Sequence, residues 1–186
     1  VPGSVSVASL MLHPVPQIRP DSYARQDRVA EPREPISAKL IAGLLVSAGA
    51  DHIITVTLHS DQIQGFFDAP VDNLITRKLF VQYFQEKNLQ SPVIVSPDVG
   101  GAKAAKKFAD RLGADLAIMH KTRPSHGEAE IVKVVGDIKG KTAILYDDMI
   151  DTGGSIVAAR EVLKKEGAND EVYVAATHPI FSGPAI

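Results

Sequence analysis

The chain contains no cysteine and no tryptophan in 186 residues. Without cysteine there is no disulfide, no thiolate zinc site and no thiol nucleophile, and the composition suits a reducing compartment, the cytoplasm. No apolar run approaches the ~20 residues of a membrane span. The first residues lack the basic stretch of a secretory signal. Neither sign of charge dominates: Lys+Arg 20 against Asp+Glu 22 leave a net −2, which argues against a large nucleic-acid footprint. Two familiar phosphate loops are missing as well, G-x-x-x-x-G-K-S/T and G-x-G-x-x-G, so neither a Walker A loop nor a dinucleotide fingerprint is expected. No short solenoid repeat and no low-complexity tract is present. The first residue is Val1 rather than methionine, the mark expected of a fragment or a processed product.

What is present is enough for a core. Hydrophobic residues make up 45% of the chain, and the length suits one full domain or parts of two. Residues 1–22 hold Pro2, Pro14, Pro16 and Pro20, which interrupt any long element, with one strand expected over 5–12. The polar cluster at 23–28, Y-A-R-Q-D-R, offers Arg25 and Gln26 to an anion or a purine, although spacing alone reads it as a solvated loop.

Beyond it, helical periodicity and strand-like runs alternate. A helix is expected over 35–48, with Leu40, Ile41, Leu44, Leu45 and Ala48 as its apolar stripe, Pro35 in its first turn and Gly49 closing it. A strand over 53–58 delivers His59, and a turn-rich apolar segment follows at 62–67. The next helix, 76–87, is expected to turn Leu79, Phe80, Tyr83 and Phe84 inward. A strand over 93–95 leads to Ser96-Pro97-Asp98. The helix over 102–112 carries Ala105, Phe108, Ala109 and Leu112 at i, i+3, i+4 and i+7, leaving Lys103, Lys106 and Lys107 in solvent. A strand over 116–119 ends in His120-Lys121, and polar residues 122–130 read as a mobile loop. Residues 131–135 and 142–146 flank Gly136 to Gly140 and are expected to form an antiparallel hairpin. The last strand covers 171–177 and precedes His178.

The stretch richest in chemistry is K-T-A-I-L-Y-D-D-M-I-D-T-G-G-S at 141–155. An apolar strand ends in Asp147 and Asp148. A loop of Asp151, Thr152, Gly153, Gly154 and Ser155 leads into a helix over 156–165, stopped by Gly167. Paired glycines let backbone N–H groups converge on an oxyanion, and a helix start adds free N–H groups and the positive end of its dipole. This is a cradle for a phosphate monoester. The carboxylates beside it suit sugar hydroxyls or hydrated magnesium. The ordinary alternative is an acidic turn between strand and helix; the order of strand, acid pair, glycine loop and helix favours the cradle. His59, Asp98, Lys121, Asp147 and His178 are each expected just past a strand's C-terminal end, where open α/β sheets bind ligands.

These blocks together resemble the ribose-phosphate diphosphokinase family. The resemblance runs from Tyr23 to Ile186 and rests on Y-A-R-Q-D-R at 23–28, P-I-S-A-K-L at 35–40, Q-I-Q-G-F-F-D-A-P-V-D-N at 62–73, S-P-D-V-G-G at 96–101, H-K-T-R at 120–123, D-D-M-I-D-T-G-G-S at 147–155 and T-H-P-I-F-S-G-P-A-I at 177–186. It implies an α/β fold of tandem type I phosphoribosyltransferase-like domains with mainly parallel sheets, both incomplete. Residues 1–22 would be an atypical segment, 23–75 the remainder of a first domain, and 76–186 a truncated second one. The implied reaction moves the diphosphoryl group of Mg-ATP to the 1-hydroxyl of ribose 5-phosphate, releasing AMP. By resemblance, Asp151 to Ser155 hold the 5-phosphate, Asp147 and Asp148 the ribose hydroxyls, His59 and Asp98 magnesium, and Arg25 and Gln26 ATP. Lys121 and Arg123 open the catalytic loop. The implied partners are ATP and ribose 5-phosphate, with other copies in a homo-oligomer built from dimers, and neither nucleic acid nor membrane.

The sequence also departs from the family. Thr57 occupies a position that is commonly acidic, Ser155 replaces a usual threonine, and residues 1–22 do not resemble what normally precedes Y-A-R-Q-D-R. Two other functions therefore stand beside the enzyme: a non-catalytic regulatory subunit or inactive fragment, and a phosphoribosyltransferase that consumes the product.

Overall fold

The computed structural model describes residues 25–29, 31–122 and 131–185. The strand expected over 5–12, the segment 1–22, Tyr23, the loop 123–130 and its Arg123 lie outside the described residues. The chain divides into two compact units between Ile75 and Thr76.

In the first unit, helix α1 (Ser37–Ser47) precedes strand β1 (Ile53–Val56), a 3-10 turn (Asp61–Phe66) and strand β2 (Val71–Leu74). β1 and β2 pair in parallel, with Ile53 opposite Val71 and Val56 opposite Leu74. β2 is absent from the sequence expectation, because a four-residue run containing Asp72 and Asn73 shows no apolar signal. The helix begins two residues after Pro35. Its buried residues are Ala38 and Ala42, while Leu40 and Leu44 are 60% and 57% exposed. The expected stripe is thus only partly inward: small alanines allow the close approach, and the larger leucines lie outside it.

The second unit runs α2 (Arg77–Lys87), β3 (Pro92–Ser96), α3 (Ala102–Leu112), β4 (Asp115–Thr122), β5 (Ile131–Val135), β6 (Thr142–Ile150), α4 (Gly154–Lys165), β7 (Val172–Pro179) and a closing 3-10 turn (Gly183–Ala185). The sheet order is β5-β4-β3-β6-β7. β3, β4, β6 and β7 are mutually parallel, and β5 is an antiparallel edge on β4.

The expected hairpin between 131–135 and 142–146 does not form. β5 pairs with β4, Ile118 opposite Val135, and β6 lies between β3 and β7. The reason lies in burial. Thr142 to Tyr146 are all buried, which suits a central parallel strand and not a hairpin arm with one wet face. Gly136 is not a hairpin turn; at φ 125° its backbone presses on β4, where a Cβ would come within 2.7 Å of the Leu116 carbonyl oxygen.

Strand alternation sends side chains to two cores. On one face Ile94, Ile144 and Tyr146 pack with Phe84 of α2 and Ala105, Phe108 and Ala109 of α3. On the other, Val93, Val95, Ala143 and Leu145 pack with Ala159 and Leu163 of α4. The expected stripe of α3 is the observed one. In α2 only Phe84 is fully buried, and Leu79 and Tyr83 are 66% and 49% exposed. With α3 and α4 on opposite faces, the connections leaving β3 and β6 diverge and open a crevice at the carboxyl edge between these strands.

Candidate functional site

β3 and β6 carry the site to that crevice. After β3, the Ser96 hydroxyl donates to the Asp98 carbonyl oxygen at 2.7 Å, and Asp98 Oδ1 accepts the Gly101 N–H at 2.9 Å. This tight turn starts α3 and leaves the Asp98 side chain exposed at the edge.

β6 is longer than its apolar core. It runs to Ile150, so Asp147 and Asp148 lie within the strand rather than after it. Pairing with β7 continues that far, with Asp147 opposite Ala176, Met149 opposite His178 and Ile150 opposite Pro179. His178 and Lys121 likewise fall inside the last residues of β7 and β4, not beyond them. The sequence places strand ends too early because polar residues hide the continuing ladder. The edge is the expected one.

The acid pair is electrostatically loaded. The Asp148 N–H donates to Asp147 Oδ1 at 2.8 Å. Burial, then the Asp148 carboxyl, and more weakly Asp98, push Asp147 up to about 7, where one carboxyl of a crowded pair retains its proton.

The loop after β6 turns directly into α4. Gly153 sits at φ 74° at the start of α4, in the left-handed region where side chains other than glycine are strained. The Ile156 and Val157 N–H groups close onto the Gly153 carbonyl at 3.0 Å. The N–H groups of Gly154 and Ser155 precede the helix's own acceptors and face whatever lies at its start. Asp151 Oδ1 is buried without a hydrogen-bond partner among the described residues. A buried carboxylate oxygen left unpaired is costly, and a ligand hydroxyl is a fitting donor to it. Residues 180–182 steady the loop: the Ile180 and Ser182 N–H groups donate to the carbonyls of Ile150 and Asp151 at 2.9 and 3.0 Å.

The structure therefore gathers Asp98, Asp147, Asp148 and the Asp151–Ser155 loop at one edge of one unit, together with the backbone of Lys121. The other three sequence-predicted residues belong to the first unit. Arg25 is exposed; the Gln26 side-chain oxygen accepts from the Ser37 hydroxyl, and its carbonyl accepts the Ala38 N–H at 3.3 Å. His59 is exposed, three residues beyond β1. Thr57, ahead of it, holds φ 44°, an outlying conformation for a β-branched residue, and its N–H donates to the Leu74 carbonyl at 2.8 Å.

Sequence reasoning missed Arg77. It occupies the first position of α2, and its guanidinium lies beside the Tyr146 hydroxyl, one residue before the acid pair on β6. A signal was available, since a cation in the first turn of a helix opposes the helix dipole.

The family model described as "Phosphoribosyl transferase domain" matches residues 66–180. The chain belongs to the phosphoribosyl transferase family. A second model, the N-terminal domain of ribose phosphate pyrophosphokinase, matches residues 21–49 and places the chain on that branch of the family. The chain is 55% identical over 164 residues to a ribose-phosphate pyrophosphokinase of Bacillus subtilis, covering 88% of this chain and 51% of the relative. Over 163 residues it is 53% identical to the enzyme of the same name from Wolinella succinogenes, covering 88% and 52%. Among solved structures it is similar to phosphoribosylpyrophosphate synthetase from Mycobacterium smegmatis, with a TM-score of 0.81 and 53% identity over 88% of this chain and 53% of that one. The chain thus spans about half the length of the curated relatives it matches.

Proposed function

We propose that the chain carries the sugar-phosphate part of a ribose-phosphate diphosphokinase, which transfers the diphosphoryl group of Mg-ATP to the 1-hydroxyl of ribose 5-phosphate. The observation that carries this reading is the 55% identity to an enzyme of that name over 164 residues of the chain. The Asp151–Ser155 loop takes the 5-phosphate on its N–H groups and hydroxyls. Asp148 and the unpaired Asp151 oxygen accept ribose hydroxyls, and Asp147, retaining a proton near neutrality, can donate as well as accept.

Asp98 and His59 are assigned to magnesium. A small hard cation keeps much of its shell from water and phosphate and needs only one or two protein carboxylates. The exposed Asp98 meets that requirement, and among the described residues no larger His, Cys, Asp or Glu cluster is present. When bound, magnesium neutralises charge on the transferring diphosphoryl group. Arg25 and Gln26 are assigned to ATP, and Lys121 and Arg123 to neutralising the charge that develops in transfer. The domain reading is kept as 23–75 and 76–186. Cytoplasmic location and homo-oligomerisation are part of the same proposal. Among the described residues no helix is long and apolar enough to cross a membrane.

Incubation with Mg-ATP and ribose 5-phosphate should yield AMP. The reading is wrong if ribose 5-phosphate neither reacts nor binds. A second reading, a non-catalytic subunit, draws on Thr57: its hydroxyl lies 3.4 Å from the Leu74 carbonyl, at a position where the resemblance expects an acid. Binding of ribose 5-phosphate without AMP formation, with co-elution alongside an intact homologue, selects that second reading.

A further inference from the structure

Asp98, Asp147, Asp148 and Asp151 lie at one sheet edge, and a half-buried cation, Arg77, stands beside the Tyr146 hydroxyl of the same strand as the acid pair. Three observations fix where it stands. The Thr76 and Thr177 hydroxyls hydrogen-bond at 2.7 Å, tying the start of α2 to the end of β7. One turn along the same helix face, the Phe80 ring meets Tyr146 edge-on at 6.0 Å and 76°, which seats α2 over β6. Arg77 lies between these two anchors, and its Nε is buried without a hydrogen-bond partner among the described residues. Tyr146 and Asp148, two apart on β6, share the face that α2 covers, whereas Asp147 points to the other.

We propose that Arg77 is a positioning residue for the acid pair: from the first turn of α2 its guanidinium, beside the Tyr146 hydroxyl, supplies the positive charge that holds Asp148 as an oriented carboxylate ready to accept a sugar hydroxyl. Asp148 shares the α2-covered face with the cation, and Asp147 lies on the other. The same placement accounts for a basic residue at a helix start, a local conflict of the kind that functional sites tolerate. Burial raises the Tyr146 hydroxyl above its ordinary range while Arg77 draws it back, as expected for a cation at that phenol.

This inference rests on the ribose 5-phosphate reading of the site, and its test has one arm that does not. Arg77→Gln and Arg77→Lys are compared with the unaltered chain by calorimetric titration with ribose 5-phosphate, by melting temperature, and by the carboxyl carbon resonances of a labelled chain. Arg77→Gln should weaken ribose 5-phosphate binding about tenfold, and Arg77→Lys should restore it to within about threefold. Both should melt close to the unaltered chain. The Asp148 resonance should move in Arg77→Gln and return in Arg77→Lys. The proposal is overturned by unchanged affinity and an unmoved Asp148 signal, or by equal losses in both variants accompanied by early melting. If the unaltered chain itself fails to bind ribose 5-phosphate, the proposed function falls, and Arg77 is judged by the Asp148 resonance alone.

Discussion

Asp147 shows what a single residue's surroundings do to its chemistry. Its carboxyl titrates near 3.8 in an ordinary setting and at about 7 here. Between those values the folded state holds a proton that the unfolded chain has released. The stabilisation that comes from keeping Asp147 neutral is therefore complete below about 4 and lost as pH rises through about 7. Asp147→Asn should leave stability near pH 4 little changed and raise it at pH 8 by about 4 kcal/mol, read from urea unfolding at both pH values. The same substitution should weaken ribose 5-phosphate binding, because an amide does not reproduce a carboxyl's donor–acceptor pattern. At Gly153 the cause is backbone. An added Cβ meets Ala185 at an ordinary 3.6 Å, so the cost of Gly153→Ala comes from φ 74° rather than from collision. A loss of about 1 kcal/mol is expected, with weakened phosphate binding in the same protein. Glycine at this position was legible as a loop residue in the sequence; the strained angle that requires it was not.

At the scale of elements, α3 was legible because its stripe is complete: Ala105, Phe108 and Ala109 repeat at helical spacing and are all buried. Phe108 is the centre of an aromatic group with Phe80, Phe84 and Tyr146, its ring 4.9 Å from that of Tyr146. Phe108→Ala should cost about 3–5 kcal/mol in urea unfolding and loosen α2 and α3 together. The strand ends were less legible. β4, β6 and β7 each continue into polar residues that an apolar pattern does not mark, because their ladders are completed by neighbouring strands. The mistaken hairpin has the same origin. Two adjacent runs around a glycine-rich link satisfy the local rule, but only the neighbours of β6 decide that it is central.

Across the chain, the second unit has a core on each face of its sheet, and the divergence of α3 and α4 makes the crevice that receives the acid pair. Among the described residues of the first unit, α1 has an exposed apolar side. Leu40 and Leu44 lie mostly in solvent on one side of α1, at helical i, i+4 spacing. Replacing both with lysine should change unfolding free energy by less than about 1 kcal/mol and reduce self-association in sedimentation velocity, since exposed leucines contribute little to the fold and more to contacts.

By itself the sequence determined the α/β alternation and the order of strand, acid pair, glycine loop and helix over residues 141–165. These depend on local periodicity, on glycine, and on carboxylates adjacent in the chain. Tertiary structure alone decided that β6 is central, that β5 turns back on β4, that Asp147 retains a proton near neutrality, and that Arg77 stands over the same strand. Each of these depends on groups far apart in the chain, whose burial and charge act on one another only once the sheet is assembled.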